Sequence, residues 1–250
     1  MGLVMNTDFG FGKLMTLNSL GRSTNSVRAN TSRSSANYLQ GAASTVSILK
    51  GLDLTAFVSY RPFDATLNES GTIRTILKTG YHRTVSELNR KNNAHQFTSG
   101  GNLHWEASGF HAGITAIYCH VDKSLQPQTS QLYRLYYPSG SNFWNASLDY
   151  GYMNHRLSFT GETATGNNNG IATINSLSYL VSNNLSLIAL QRFYSKKYSS
   201  LFSSSFSEGG RIQNESGVYI GANWQALRHL SLMFYTDYSY FSQSRYQASQ

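Results

Sequence analysis

The stretch Leu52-Asp53-Leu54-Thr55-Ala56-Phe57-Val58-Ser59-Tyr60 decides the fold class, because apolar and polar residues alternate along it. Its apolar set is Leu52, Leu54, Ala56, Val58 and Tyr60, its polar set is Asp53, Thr55 and Ser59, and Phe57 alone breaks the order. Successive side chains of a β-strand point to opposite faces, so this period predicts a strand with one apolar and one polar face. Its length is close to the roughly 9 to 11 residues that a tilted strand needs to cross a bilayer.

The same alternation recurs along most of the chain. It is clear in residues 96–106, 110–121, 144–152, 156–163, 218–225 and 230–240. It is weaker in 171–181 and 185–193, where Ile188 and Leu190 interrupt it. The pattern predicts ten strands from Tyr38 to Tyr240, and Gly2-Leu3-Val4-Met5 predicts a further one.

The connections between these strands alternate in length. Tight turns are predicted at Lys50-Gly51, Ala107-Ser108-Gly109, Asn154-His155, Ser182-Asn183-Asn184 and residues 226–229. Longer polar connections lie between them, at residues 61–94, 122–141, 163–170 and 195–216. Transmembrane β-barrels have short turns at one end and long loops at the other, whereas a soluble sandwich has no reason to keep that order.

The composition favours the same class. Charged residues are 13% of the chain, about half the roughly 25% typical of soluble domains, and aromatic residues also reach 13%. The polar faces carry mainly Ser, Thr, Asn and Gly, whereas the solvent face of a soluble β-sandwich usually carries Lys, Glu and Arg. No apolar run is long enough for a membrane-spanning helix. We therefore predict an all-β protein, an antiparallel transmembrane β-barrel with short turns alternating with long loops.

The domain organisation follows from these segments. We predict a single β-barrel domain over residues 1–250, with an N-terminal strand and polar segment in 1–37, five β-hairpins in 38–241 and the start of a further segment in 242–250. The first residues lack the basic and apolar regions of a signal peptide, which an outer-membrane protein needs. We therefore expect the barrel to be incomplete at both ends and the true start to lie upstream.

Several segments resemble the barrel portion of helix-hairpin-helix proteins from the Bacteroidota, in which DNA-uptake-type helical repeats precede a large β-rich region. The resemblance rests on Gly2-Leu3-Val4-Met5, on residues 59–67, on Gly80-Tyr81-His82-Arg83-Thr84, on residues 205–210 and on Asn214-Glu215-Ser216-Gly217. It implies an outer-membrane protein connected with DNA uptake. The helical repeats that would carry DNA binding are absent from this chain, so the resemblance assigns that role to no residue here.

The connection 61–94 is the strongest candidate binding segment. Its cations include Arg74, Lys78, Arg83, Arg90 and Lys91, while its acids are Asp64, Glu69 and Glu87. Such a loop could bind phosphates of lipopolysaccharide, an acidic polysaccharide or the DNA backbone by charge attraction, or it could be an ordinary solvated loop. Tyr133-Arg134-Leu135-Tyr136-Tyr137 places aromatic rings beside a cation, which suits stacking on bases or sugars and equally suits an interfacial girdle.

A catalytic site is also conceivable on the polar face. His104 and Glu106 share that face, His111 lies across the predicted hairpin, and serines are abundant. A hydrogen-bonded polar network explains the same residues more simply. The single cysteine, Cys119, has no metal-ligand spacing to its neighbours. We therefore predict no catalytic, cofactor or metal site.

The sequence thus favours a non-enzymatic outer-membrane barrel component that binds or passes a polymer, such as DNA, at the bacterial cell surface. Its expected partners are outer-membrane lipid or lipopolysaccharide, DNA or acidic polysaccharide, and the missing N-terminal region of the parent protein. Two alternatives are a barrel enzyme acting on lipid or peptide, and a soluble secreted β-sandwich or adhesin. The net charge of +8 permits an anionic partner and is also compatible with a generally basic protein.

Overall fold

The computed structural model describes residues 2–5, 38–208 and 210–246. Residues 6–37 of the predicted N-terminal segment therefore lie outside the described residues. Residues 247–250 of the predicted final segment lie outside them as well. The fold is all-β, as expected. Ten long strands form one sheet, and their bounds are β1 Gly41–Leu49, β2 Leu52–Phe63, β5 Ala94–Ala107, β6 Phe110–Leu125, β7 Gly140–Met153, β8 Leu157–Gly166, β9 Ile171–Ser182, β10 Leu185–Tyr194, β11 Glu215–Leu227 and β12 Leu230–Tyr240.

The ten strands follow one another in chain order, and each pairs antiparallel with the next. Short turns and longer connections alternate as predicted, so all the longer connections lie at one end of the sheet, the loop end, and the short turns lie at the other, the turn end. Ser108 and Gly109 form one such turn, and both have positive φ. Two central residues with positive φ match the right-handed twist of the flanking strands.

The two faces of the sheet differ in chemistry, as the alternation predicted. We call the face that carries Thr55, Thr98, Ser147, Ser176 and Arg192 the inner face, because these polar residues are buried. The outer face carries large apolar residues that are exposed. They include Val58, Leu103, Ile114, Trp144, Leu148, Leu177, Leu187, Val218, Ile220 and Phe234.

The residues that broke the predicted alternation all lie on the inner face. Ile188 and Leu190 are buried in a hydrophobic cluster there, and Phe57 packs against the same cluster. An apolar residue at an inner position is therefore a core residue. The strands β9 and β10 pair continuously from Ser186 to Tyr194, with one register shift at Leu185.

The sheet curls so that its inner face is concave. Phe57 of β2 and Tyr219 of β11 contribute to one cluster, although seven strand spacings separate these two strands in the sheet. At about 4.8 Å per spacing, they would lie roughly 34 Å apart in a flat sheet. The cluster also contains Tyr198, Phe206 and Ile212 of the 195–214 connection, so the sheet curls around these loop residues on its inner face. Among the described residues β1 and β12 each have one neighbouring strand, so the sheet is an open barrel.

The connection 64–93 contains structure that the sequence analysis did not predict. It forms the short strands β3 Ala65–Leu67 and β4 Ile73–Ile76 and one helical turn, α1 Val85–Leu88. The strand β4 pairs with the end of β6. A 3₁₀ turn, Leu132–Arg134, lies in the next long connection.

Two further predictions were wrong in detail. The connection predicted at 163–170 is only four residues long, because β8 continues to Gly166. The predicted strand at residues 2–5 joins no β-ladder. Leu3 and Val4 are instead buried against the inner face, because an apolar run of this kind satisfies a core position as well as a strand. Within the described ranges, no helix combines the length and apolar character required to cross a membrane.

Candidate functional site

The predicted cationic residues of the 64–93 connection all lie at the loop end, but they do not form one cluster. Arg74 on β4 donates a hydrogen bond from Nη2 to Oε1 of Gln128 at 3.4 Å. The guanidinium of Arg83 lies 4.2 Å from the centre of the Tyr81 ring. Arg90 and Lys91 follow α1, where the side chain of Lys91 is exposed.

Two of the three acids in this connection are engaged within it. Asp64 Oδ2 lies 2.7 Å from His82 Nε2, and Asp64 Oδ1 accepts the backbone N–H of Asn92. Glu87 caps α1 by accepting the backbone N–H groups of Arg83 and Thr84, and these hydrogen bonds hold the pKa of Glu87 below its ordinary value. The carboxylates therefore serve the local fold of the connection.

Lys78 links this connection to a second group of cations. Part of its side chain is exposed, while burial of the rest lowers its pKa and the nearby charge of Arg211 lowers it further. Arg211 belongs to the 195–214 connection, so two long loops bring positive charge to the same region.

Arg211 lines a cleft of about 520 Å³ that three segments build. These segments are the connections 126–139 and 195–214 and the residues that follow β12. The charged lining residues are four cations, Arg134, Lys196, Arg211 and Arg245, and no acid lies among the described residues that line the cleft. The aromatic lining residues are Tyr133, Tyr136, Tyr137, Phe241 and Tyr246.

The cations of the cleft lie against its aromatic rings. Arg211 Cζ is 4.0 Å from the centre of the Tyr137 ring, and Lys196 Nζ is 5.7 Å from that of Tyr136. Arg134 lies over the neighbouring ring of Tyr133 at 5.1 Å. Cation–π contacts of this kind hold long basic side chains in place while their charge stays available to a ligand.

Asparagine and glutamine side chains hold the three segments together. Gln213 Nε2 donates to the carbonyl oxygens of Tyr136 and Lys196, at 2.9 and 2.8 Å. Asn214 donates to the carbonyl of Gln243 at 2.7 Å and accepts from its backbone N–H. Gln243 in turn donates to the carbonyl of Leu132. The cleft is therefore cross-linked by directional bonds between segments distant in sequence.

A buried ion triad, formed by Arg192, Glu215 and Asp237, holds the 195–214 connection, which is one of the segments that build the cleft. Arg192 on β10 donates from Nε to Glu215 Oε1 at 2.5 Å and from Nη1 to Asp237 Oδ1 at 2.8 Å. The ring of Phe206 lies 5.0 Å from its guanidinium carbon. The backbone N–H of Glu208 donates to both oxygens of Glu215 at 3.0 Å, so the triad also anchors the 195–214 connection.

Gly217 makes room for this triad. A Cβ at Gly217 would lie 2.6 Å from Cζ of Arg192, which is closer than real side chains approach. Phe206 and Glu208 of one segment that the sequence analysis singled out thus meet Glu215 and Gly217 of another at one buried ionic site. Their glycine, glutamate and phenylalanine have a structural role there.

The residues considered for catalysis lie near the turn end of the inner face. The rings of His104 and His111 are 5.9 Å apart, and Glu106 lies directly opposite His111 in the ladder. In the described part of the chain, no group of three or more His, Cys, Asp or Glu side chains is arranged to hold a metal ion. Cys119 is buried on the inner face at the loop end.

The sequence analysis identified only one part of the cleft, the run from Tyr133 to Tyr137. It missed Lys196, Arg211 and Arg245, because these residues are separated from that run by 59 positions or more and no local pattern connects them. No protein-family model matches the chain, and comparison with curated proteins gives no match.

Proposed function

We propose that this chain is the barrel component of a bacterial outer-membrane protein and that it binds an anionic polymer at its loop end without catalysing a reaction. The observation that carries the membrane location is the outer face. Large apolar side chains on it are exposed on successive strands, such as Ile114 at 56%, Leu148 at 50% and Ile220 at 53%. Soluble monomers rarely expose a continuous apolar surface larger than a few hundred Å².

The buried polar inner face fits the same location. In lipid every backbone polar group must be paired, and a curled antiparallel sheet with an apolar exterior meets that requirement along its ladders. A soluble sandwich would need a second sheet over the apolar face, and no described residue covers it. The soluble alternative is therefore disfavoured.

The cleft supports binding at the loop end, which in outer-membrane barrels faces the exterior. Four cations, with no carboxylate among the described residues that line the cleft, attract phosphate or carboxylate groups, and tyrosine rings can stack on bases or sugars. The interior near the loop end is filled by buried side chains such as Val121, Phe143 and Leu190, which favours binding over passage. The resemblance to Bacteroidota helix-hairpin-helix proteins makes DNA the first polymer to test.

The membrane proposal is tested by expressing the chain with a bacterial export signal and fractionating the cells. We expect it in the outer membrane, with a gel mobility that changes on boiling, because folded barrels resist detergent. A chain that remains soluble without detergent would contradict the proposal.

The binding proposal is tested with the folded chain in detergent micelles and a fluorescent single-stranded DNA, with an acidic polysaccharide as competitor. Arg211→Gln and Arg134→Gln should weaken binding and lower the slope of log K against log salt by about 0.7 for each lost phosphate contact. Arg228→Gln at the turn end makes the same charge change and should leave binding unchanged. Equal losses in all three variants would mean that net charge alone attracts the polymer. If the acidic polysaccharide binds and DNA does not, the polymer is an acidic polysaccharide.

A further inference from the structure

The segment Gly2-Leu3-Val4 is held on the inner face by hydrogen bonds to its backbone. The N–H of Leu3 donates to Glu162 Oε2 on β8 at 3.1 Å, and its carbonyl accepts from the hydroxyl of Tyr198 at 2.7 Å. The carbonyl of Val4 accepts from Ser200 Oγ at 3.0 Å. The carbonyl of Gly2 accepts from the backbone N–H of Ser204 at 3.0 Å.

The side chains of the same segment are completely enclosed. Leu3 is 0% exposed and Val4 is 1% exposed, and both belong to the main hydrophobic cluster of the inner face. The other members of the cluster include Ile117, Ala164, Ala172, Ile174, Ile188 and Leu190, which come from four strands. The segment is therefore recognised in the way that a bound peptide is, through both its backbone and its side chains.

The position of the segment matters because the interior is not filled evenly. Inner-face residues near the loop end, such as Ala172 and Tyr194, are buried, whereas Asp53 and His104 near the turn end are partly exposed. The segment lies between β8 and the 195–214 connection, on the filled side. It thus contacts β8 on one side and, on the other, the 195–214 connection, which is one of the three segments that build the cleft.

We propose that residues 2–4 are a plug segment, docked in the interior by non-covalent contacts, which seals the loop end and holds the 195–214 connection in place. A molecule can then pass through the interior only when the plug segment leaves its site. The inference rests on the packing of the inner face and not on the membrane location or on the polymer.

Cys119 provides a probe for this inference. It is 1% exposed on the inner face and belongs to a second hydrophobic cluster, against which Leu201 and Phe202 pack. These two residues directly follow Ser200, which holds the carbonyl of Val4. Undocking of the plug segment releases Ser200 and Ser204, so the packing of Leu201 and Phe202 against this second cluster loosens and the thiol of Cys119 becomes accessible.

The experiment measures the rate at which a small maleimide labels Cys119 in the folded chain in detergent micelles. Tyr198→Phe removes one hydrogen bond to the plug segment and should raise the rate roughly 2- to 13-fold, in proportion to the undocked population. Leu3→Asp places a carboxylate in the apolar cluster and should raise it more than about tenfold. Tyr179→Phe, the same change on the exposed outer face, is the matched control and should label at the wild-type rate.

Gel mobility before and after boiling identifies variants that fail to fold, and Tyr198→Phe keeps the test valid if Leu3→Asp is one of them. Wild-type labelling rates in both variants would overturn the proposal. Labelling of the wild-type protein as fast as in denaturant would overturn it as well, because the interior would then not be sealed. Since no polymer is present, neither result depends on the binding proposal.

Discussion

Replacement of Glu215 by Gln is the most direct test of how the loop end is held together. Glu215 is 2% exposed, and it accepts from Arg192 and twice from the backbone N–H of Glu208. The Gln side chain has nearly the same shape, but it removes one of the two carboxylates that neutralise the buried guanidinium. It also replaces one accepting oxygen with an NH₂ group that can only donate.

The expected loss of stability follows from the contacts that remain. Removing one partner of a buried ion pair typically costs about 3 to 5 kcal/mol. Asp237 still accepts from Nη1 and Nη2 of Arg192, at 2.8 and 3.3 Å, so the cost should lie near the lower limit. A loss of about 3 kcal/mol lowers the folding equilibrium constant about 160-fold.

The assay is equilibrium urea unfolding in lipid vesicles, in which the folded fraction is read from gel mobility without boiling. Glu69→Gln, an exposed acid in another loop, removes the same charge and should change the free energy of unfolding by less than about 0.5 kcal/mol. An equally small change for Glu215→Gln would refute the reasoning, because the triad would then contribute nothing beyond an exposed carboxylate.

Three further predictions concern other parts of the molecule. Gly217→Ala should lower the free energy of unfolding by about 1 to 3 kcal/mol in the same urea assay, because the added Cβ meets the guanidinium of the ion triad. Unchanged stability would contradict the prediction, because the guanidinium would then make room for a Cβ at no cost. Ile114→Arg on the outer face should cost about 2 to 4 kcal/mol in vesicles, whereas Leu227→Arg at the turn end should cost at most about 1 kcal/mol; equal costs would argue against a lipid-facing band. The pKa of Glu87, followed by NMR, should lie below its ordinary value of 4.5, chiefly because its carboxylate accepts the backbone N–H of Arg83. Thr84→Ala keeps the backbone N–H bonds and removes only the smaller contribution of the Thr84 hydroxyl, so it should raise this pKa only slightly. A lowered pKa means that this stabilisation of α1 is complete above pH 4.5 and is lost as the pH falls through the lowered pKa, so a titration at 4.5 in the wild-type protein would contradict it.

The strand pattern could be predicted from the sequence because it is local. Whether Val58 and Ser59 point to opposite faces depends only on the extended backbone, and a turn such as Ser108-Gly109 brings its own two strands into register. The same local logic explains one error. The run Gly2-Leu3-Val4-Met5 has the composition of a strand, but a short apolar run can equally occupy a core, and nothing within it decides between the two.

The sequence by itself determined the all-β class, the ten long strands, the apolar outer face and the alternation of turns and loops, since each follows from residues adjacent in the chain. Only the tertiary structure decided which of its charges meet. The ion triad joins residues 192, 215 and 237 from three strands, and the cleft joins loops whose strands lie far apart in the sheet. For the triad the physical reason is the register of three neighbouring strands, in which Arg192 lies opposite Gly217 and Gly217 lies opposite Ser239. For the cleft it is curvature, because the curl of a sheet depends on the packing of its whole inner face and no single segment of sequence specifies that packing.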